Sequence, residues 1–117
     1  MSVISSKILV PIGFSKQSLI AFDQACNFAK LNHSKIFLLS VIEERNAMHS
    51  LFLDDNSHKL KKMVLHKLTE LSQEFAEKYS LEIEIMVSQG KIYNQINEVA
   101  EMIGADLIIM GTTGSPK

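Results

Sequence analysis

The chain has 117 residues, a hydrophobic fraction of 46%, a charged fraction of 21% and a formal net charge of −1 at pH 7. That length supports one hydrophobic core and is too short for two; the near-zero charge gives no electrostatic basis for binding nucleic acid or an anionic membrane. A lone cysteine, Cys26, excludes an intrachain disulfide framework and suits a reducing compartment. No cationic segment followed by a long apolar stretch opens the chain, and no apolar run approaches the roughly 20 residues needed to span a bilayer. The expectation is a single cytoplasmic domain, residues 1–117.

Lys7 to Ile12 is a short apolar run closed by Pro11 and Gly13, the pattern of a buried strand whose proline sits at its end because it donates no ladder hydrogen bond. Ser15 is a good helix N-cap. Leu19, Phe22, Ala25, Cys26 and Ala29 follow on one helical face, and Ala21, Ala25 and Ala29 recur every four positions, letting the helix approach a sheet closely. This helix runs out near Leu31–His33, with Lys30 in its last turn, where a cation suits the helix dipole.

Lys35 to Ile42 reads as the second strand. Periodicity then fails from Glu43 to Ser57, predicting a long connection with a helical turn around Met48–Leu53. Leu60, Val64, Leu68, Leu71, Phe75 and Tyr79 are spaced 4, 4, 3, 4 and 4, which specifies an amphipathic helix. Leu81 to Val87 is the third strand, with Glu82 and Glu84 alternating against apolar residues, so one face or edge is wet. Gly90 interrupts the chain. Ile92, Ile96, Val99, Ala100 and Ile103 form the third helix, closed by Gly104 at C′.

The last apolar run, Leu107 to Met110, stops at Gly111 and Gly114 and reads as a strand buried on both faces, ending in a turn whose glycines admit a ligand close to backbone N–H groups. With no helix behind it, the alternative is an exposed edge strand, which is a pairing hazard. The order β-α-β-α-β-α-β predicts an α/β fold: a three-layer parallel sheet with helices on both faces and right-handed crossovers. Ligands of such sheets sit at the carboxyl ends of the strands.

Other candidate chemistry is thin. His33, His49, His58 and His66 show no i, i+4 pair and no cysteine partner, so no metal site is predicted. Ser15, Ser18 and Ser115 have no identifiable base, and no general base for hydrolysis stands out. Cys26 lies on an apolar helix face and reads as a core residue. Lys59, Lys61 and Lys62 read as a solvated face.

Three segments together resemble the universal stress protein family: Lys7-Ile-Leu-Val-Pro-Ile-Gly-Phe-Ser15, Ala29-Lys30 with Lys35-Ile-Phe-Leu-Leu-Ser-Val41, and Gly104-Ala-Asp-Leu-Ile-Ile-Met-Gly-Thr-Thr-Gly114. The resemblance implies a strand order of 3-2-1-4 in an adenine-nucleotide α-hydrolase-like fold, without the family's last helix and fifth strand. It implies binding of ATP with magnesium, or of AMP, by Pro11, Ile12 and Gly13 at the end of the first strand, by Val41 at the adenine, and by Met110, Gly111 and Gly114 under the phosphates. It also implies a homodimer.

Two departures from the family pattern qualify these expectations. Gly13 stands where the family carries Asp, and only the first Gly-x2-Gly of the longer phosphate motif is present. Charge-assisted hydrogen bonds contribute roughly 1.5–3 kcal/mol each, against about 8 kcal/mol for a micromolar complex. With Lys117 as the terminus, weak or absent ATP binding is therefore expected. The competing expectation is a protein-interaction module that binds no nucleotide and acts through dimerisation.

Overall fold

The computed structural model describes residues 6–43 and 54–111, with the side chains of 54–57 left out. Its elements are β1 (Lys7–Pro11), α1 (Lys16–Asn32), β2 (Lys35–Glu43), α2 (Asp54–Tyr79), β3 (Ile83–Gly90), α3 (Ile92–Ile103) and β4 (Leu107–Ile108). The four strands form one sheet in the order β3-β2-β1-β4. All pairings are parallel, from Lys7↔Lys35 to Pro11↔Leu39, Ile36↔Ile83 to Glu43↔Gly90, and Ile8↔Leu107 to Leu9↔Ile108. The predicted α/β architecture and strand order are those observed.

Alternation along the strands divides the core in two. Ile8, Val10, Ile12, Ile36 and Leu38 face α1 and α2, where they meet Phe22, Ala25, Cys26, Ala29 and Leu68. Leu9, Phe37 and Leu39 face the other way, onto Ile96 and Val99 of α3. The central strands are thus buried on both sides, which is why β1 and β2 carry continuous apolar runs rather than an alternating pattern. Ala25 and Ala29 are fully buried, so their missing side-chain bulk is what seats α1 on the sheet. Phe22 stacks on Phe75 with centroids 4.4 Å apart, joining α1 to α2.

The helix ends follow local chemistry. Ser15 caps α1 by accepting from the Ser18 N–H at 3.1 Å. His33 closes it in the left-handed conformation at φ 55°, and Gly104 closes α3 at φ 70°. Among the described residues no helix is long and apolar enough to cross a membrane.

Three expectations need correction. The final strand is not a four-residue strand buried on both faces: it comprises Leu107–Ile108, and these residues are 39% and 38% exposed. Among the described residues it lies outermost in the sheet, beside β1 alone, which is the exposed edge that the lack of a following helix allowed. The connection placed at 43–57 is shorter at both ends. Glu43 still pairs with Gly90 in the sheet, and the helix begins at Asp54 rather than near Leu60. The turn expected at 48–53 lies outside the described residues. β3 is shifted from 81–87 to Ile83–Gly90. Glu82 and Glu84 are wet as expected, because β3 is an edge, and both pair with Lys35, at 3.4 and 3.0 Å.

Candidate functional site

The chain runs from β1 outward to β2 and β3, then α3 carries it back across the sheet to β4 on the far side of β1. The strand order therefore reverses between β1 and β4, where open α/β sheets form their ligand crevice. A cavity of about 420 Å³ lies there, lined by Pro11, Ile12, Gly13, Ser15, Ser18, Leu39, Val41, Ile92, Tyr93, Ile96, Met110 and Gly111. Six of the seven sequence-predicted positions, Pro11, Ile12, Gly13, Val41, Met110 and Gly111, meet around it. The seventh, Gly114, lies outside the described residues.

Val41 owes its place to the ladder. Lys35 N donates to Ser6 O at 2.9 Å and Ile12 N donates to Leu39 O at 2.8 Å, whereas Ile36 N donates to Glu82 O at 3.2 Å on the opposite side. Odd residues of β2 accordingly turn their amide groups toward β1 and even residues toward β3. Val41 is odd, and the β1 partnering ends two residues earlier, at Pro11↔Leu39. Its N–H and C=O face the space beyond β1 and find no partner among the described residues. A donor and an acceptor thus stand on one edge, at the cavity wall.

Two helices begin at this cavity. Ser15 and Ser18 bring the first turn of α1, and Ile92 and Tyr93 bring the first turn of α3. Neither first turn carries an acidic residue; Lys16 opens α1 and Lys91 is the N-cap of α3, without a side-chain cap. The positive ends of both helix dipoles are thus left without an internal carboxylate, an arrangement that favours an anion nearby. Ser18 Oγ is turned inward to donate to Ser15 O at 2.9 Å, so its main role is holding the cap.

The two glycines that line the cavity differ. A side-chain carbon on Gly13 would meet nothing within 4 Å, whereas one on Gly111 would stand 2.5 Å from Gln17 O and 2.9 Å from Ser18 N. Gly111 is needed for the close passage of β4's end over α1, a reason distinct from the ligand approach that the sequence suggested. Met110 is 37% exposed at the rim.

Tyr93 carries the only ionisable side chain among the described lining residues. The described residues contain no group of three His, Cys, Asp or Glu able to hold a metal. His58 and His66 are exposed on α2, with His66 3.5 Å from Glu70. Lys59, Lys61 and Lys62 are exposed there as well. Cys26 is fully buried under α1, and its thiol is pushed up to about 12, by desolvation first and the Asp23 carboxylate second. The cavity thus offers shape, backbone polarity and helix dipoles rather than side-chain charge. No local pattern marks Tyr93 or Ile92 as lining residues, because their approach depends on α3 crossing to the far face.

The fold has close relatives. One universal stress protein of Methanocaldococcus jannaschii is 28% identical over 131 aligned residues, covering 97% of this chain and 80% of the relative. Its solved structure superposes with a TM-score of 0.80 at 29% identity, over 97% of this chain and 81% of that one. A second universal stress protein from the same organism is 31% identical, and the match spans 92% of this chain but 65% of the relative. A solved universal stress protein in complex with cAMP shares the fold at a TM-score of 0.70 and 20% identity, over 93% of this chain and 77% of that one. A model of the universal stress protein family matches residues 5–117. With strand order, core and sequence in agreement, the chain belongs to the universal stress protein family.

Proposed function

We infer that this protein is a stress-response module that binds an adenine nucleotide, AMP or ATP with magnesium, at the carboxyl edge of β1 and β4. The observation that carries this reading is the N–H and C=O of Val41 on the cavity wall, which have no partner among the described residues. Adenine presents an exocyclic amino donor beside a ring-nitrogen acceptor, the complement of that pair. The acid-free starts of α1 and α3 supply a positive field for phosphate, with Gly111 bringing β4 close to α1. That a relative with this fold is known in complex with cAMP agrees with the ligand class. Pro11, Ile12 and Gly13 form the floor beside the sugar, and Met110 and Gly111 the phosphate side.

The test is linkage between binding and stability. A ligand at 100 times its dissociation constant adds about 2.7 kcal/mol to unfolding. Unfolding is followed in urea with AMP, and with ATP plus magnesium, at millimolar concentration. A rise in midpoint is expected; an unchanged midpoint with both ligands overturns the nucleotide reading.

One observation favours a second reading, a protein-interaction module acting through dimerisation. Among the described residues β4 is an outer sheet edge with Leu107 and Ile108 more than a third exposed, and such edges recruit strands from other chains. Sedimentation of the protein and of an Ile108→Lys variant tests it: association lost in the variant supports it, and a wild-type monomer rejects it.

A further inference from the structure

Tyr93 has no part in the nucleotide contacts set out above, yet it lines the same cavity. It is 70% exposed. Among the described residues its hydroxyl makes no hydrogen bond and its ring meets neither another ring nor a cation. Tyr79, the other tyrosine, is anchored on both counts: its hydroxyl bonds to Asp23 and its ring lies 6.1 Å from Phe75.

Position argues that this freedom is directed. Tyr93 is the second residue of α3, and helical side chains lean toward the helix N-terminus, which here is the end that meets the cavity. The neighbouring wall, Val41, Ile92 and Ile96, is aliphatic. A planar ring held edge-on by the Val41 backbone would rest one face on that aliphatic wall. Its other face would look out toward the mouth, where Tyr93 stands.

We propose that Tyr93 is a specificity-determining side chain that closes over the cavity mouth and stacks on the ligand's heteroaromatic ring. The proposal rests on the nucleotide reading and sharpens it, since the site then selects ligands by a flat base rather than by phosphate alone. An aromatic side chain suits the task because it covers a large area at the entropic cost of two torsions, and every base offers a π face to stack on.

Calorimetric titration with AMP compares wild type, Tyr93→Ala and Tyr93→Phe. Stacking predicts that Tyr93→Ala weakens AMP about tenfold, while Tyr93→Phe stays within about twofold because the ring is kept. The chain contains no tryptophan, so Tyr93→Trp adds a single reporter whose emission should be quenched by AMP and unchanged by ribose 5-phosphate. Wild-type AMP affinity in Tyr93→Ala, or unquenched emission from Tyr93→Trp with AMP bound, overturns the stacking role and leaves the nucleotide reading standing. Absence of AMP binding to wild type overturns both.

Discussion

Gly111 passes so close to Gln17 that a single methyl group on it would stand 2.5 Å from the Gln17 carbonyl oxygen. The opposing atoms are backbone of the first turn of α1, which cannot rotate away as a side chain would. The end of β4 and the start of α1 are therefore one packed unit, and the cavity between β1 and β4 takes its width from their contact.

Gly111→Ala should accordingly behave as an overpacking mutation, lowering stability by about 1–3 kcal/mol and weakening nucleotide binding by moving β4 off α1. Gly13→Ala is the matched control. It meets open space, and removing glycine's freedom from the unfolded chain should add about 0.4–1 kcal/mol. Urea denaturation of the pair measures both; a Gly111→Ala midpoint equal to wild type contradicts the packing account.

Gly13→Asp should strengthen AMP binding. The side chain has room, and a carboxylate beside the sugar would accept a hydrogen bond from a ribose hydroxyl. At about 1.5 kcal/mol for a bond to a charged group, the gain is about tenfold in dissociation constant. Calorimetry on the variant reads it directly, and unchanged or weaker binding would place the sugar elsewhere.

Val41→Pro isolates a single backbone donor. The Val41 N–H lies beyond the end of β1 and makes no bond in the sheet, so proline there removes no ladder hydrogen bond, and Ser40 is already extended as a residue before proline prefers. The variant should fold, with far-ultraviolet circular dichroism like wild type, and lose about tenfold or more in AMP affinity. Retained affinity in a folded variant would remove Val41 from base recognition.

Cys26 makes stability depend on alkaline pH. Its thiol ionises near 9.0 when free and near 12 when folded, because burial and the Asp23 carboxylate both oppose the thiolate. Above the lower value the unfolded chain releases a proton that the folded chain keeps, so the contribution is complete below about pH 9 and is lost as pH rises toward 12. Stability measured across that window should fall less steeply in Cys26→Ala than in wild type. The native thiol should also resist a thiol reagent that labels it at once in denaturant, since its exposure is 0%; rapid native labelling would contradict the burial.

The exposed interior-like strand shows where pattern and place part company. Leu107-Ile-Ile-Met110 has the composition of a strand covered on both faces, and hydropathy registers composition only. Coverage depends on neighbours contributed by distant parts of the chain, and β4 has β1 on one side with no described strand on the other. The start of α2 was obscured for a different reason: Asp54 to Ser57 continues the helix without an apolar periodicity to announce it.

What the sequence alone determined was the alternation of strands and helices and the caps at Ser15 and Gly104, since each depends on residues within a few places of one another. Six of the seven candidate positions that the family resemblance implied meet at one cavity, since all six lie near the carboxyl ends of β1, β2 and β4. Only the tertiary structure decided that α3 returns over the opposite face, which brings Ile92 and Tyr93 to the cavity. It alone showed that β1 ends early enough to leave the Val41 amide without a partner among the described residues, and that Gly111 serves its contact with Gln17. Those relationships join residues far apart in the chain, and their geometry is set by how whole layers pack rather than by any local preference.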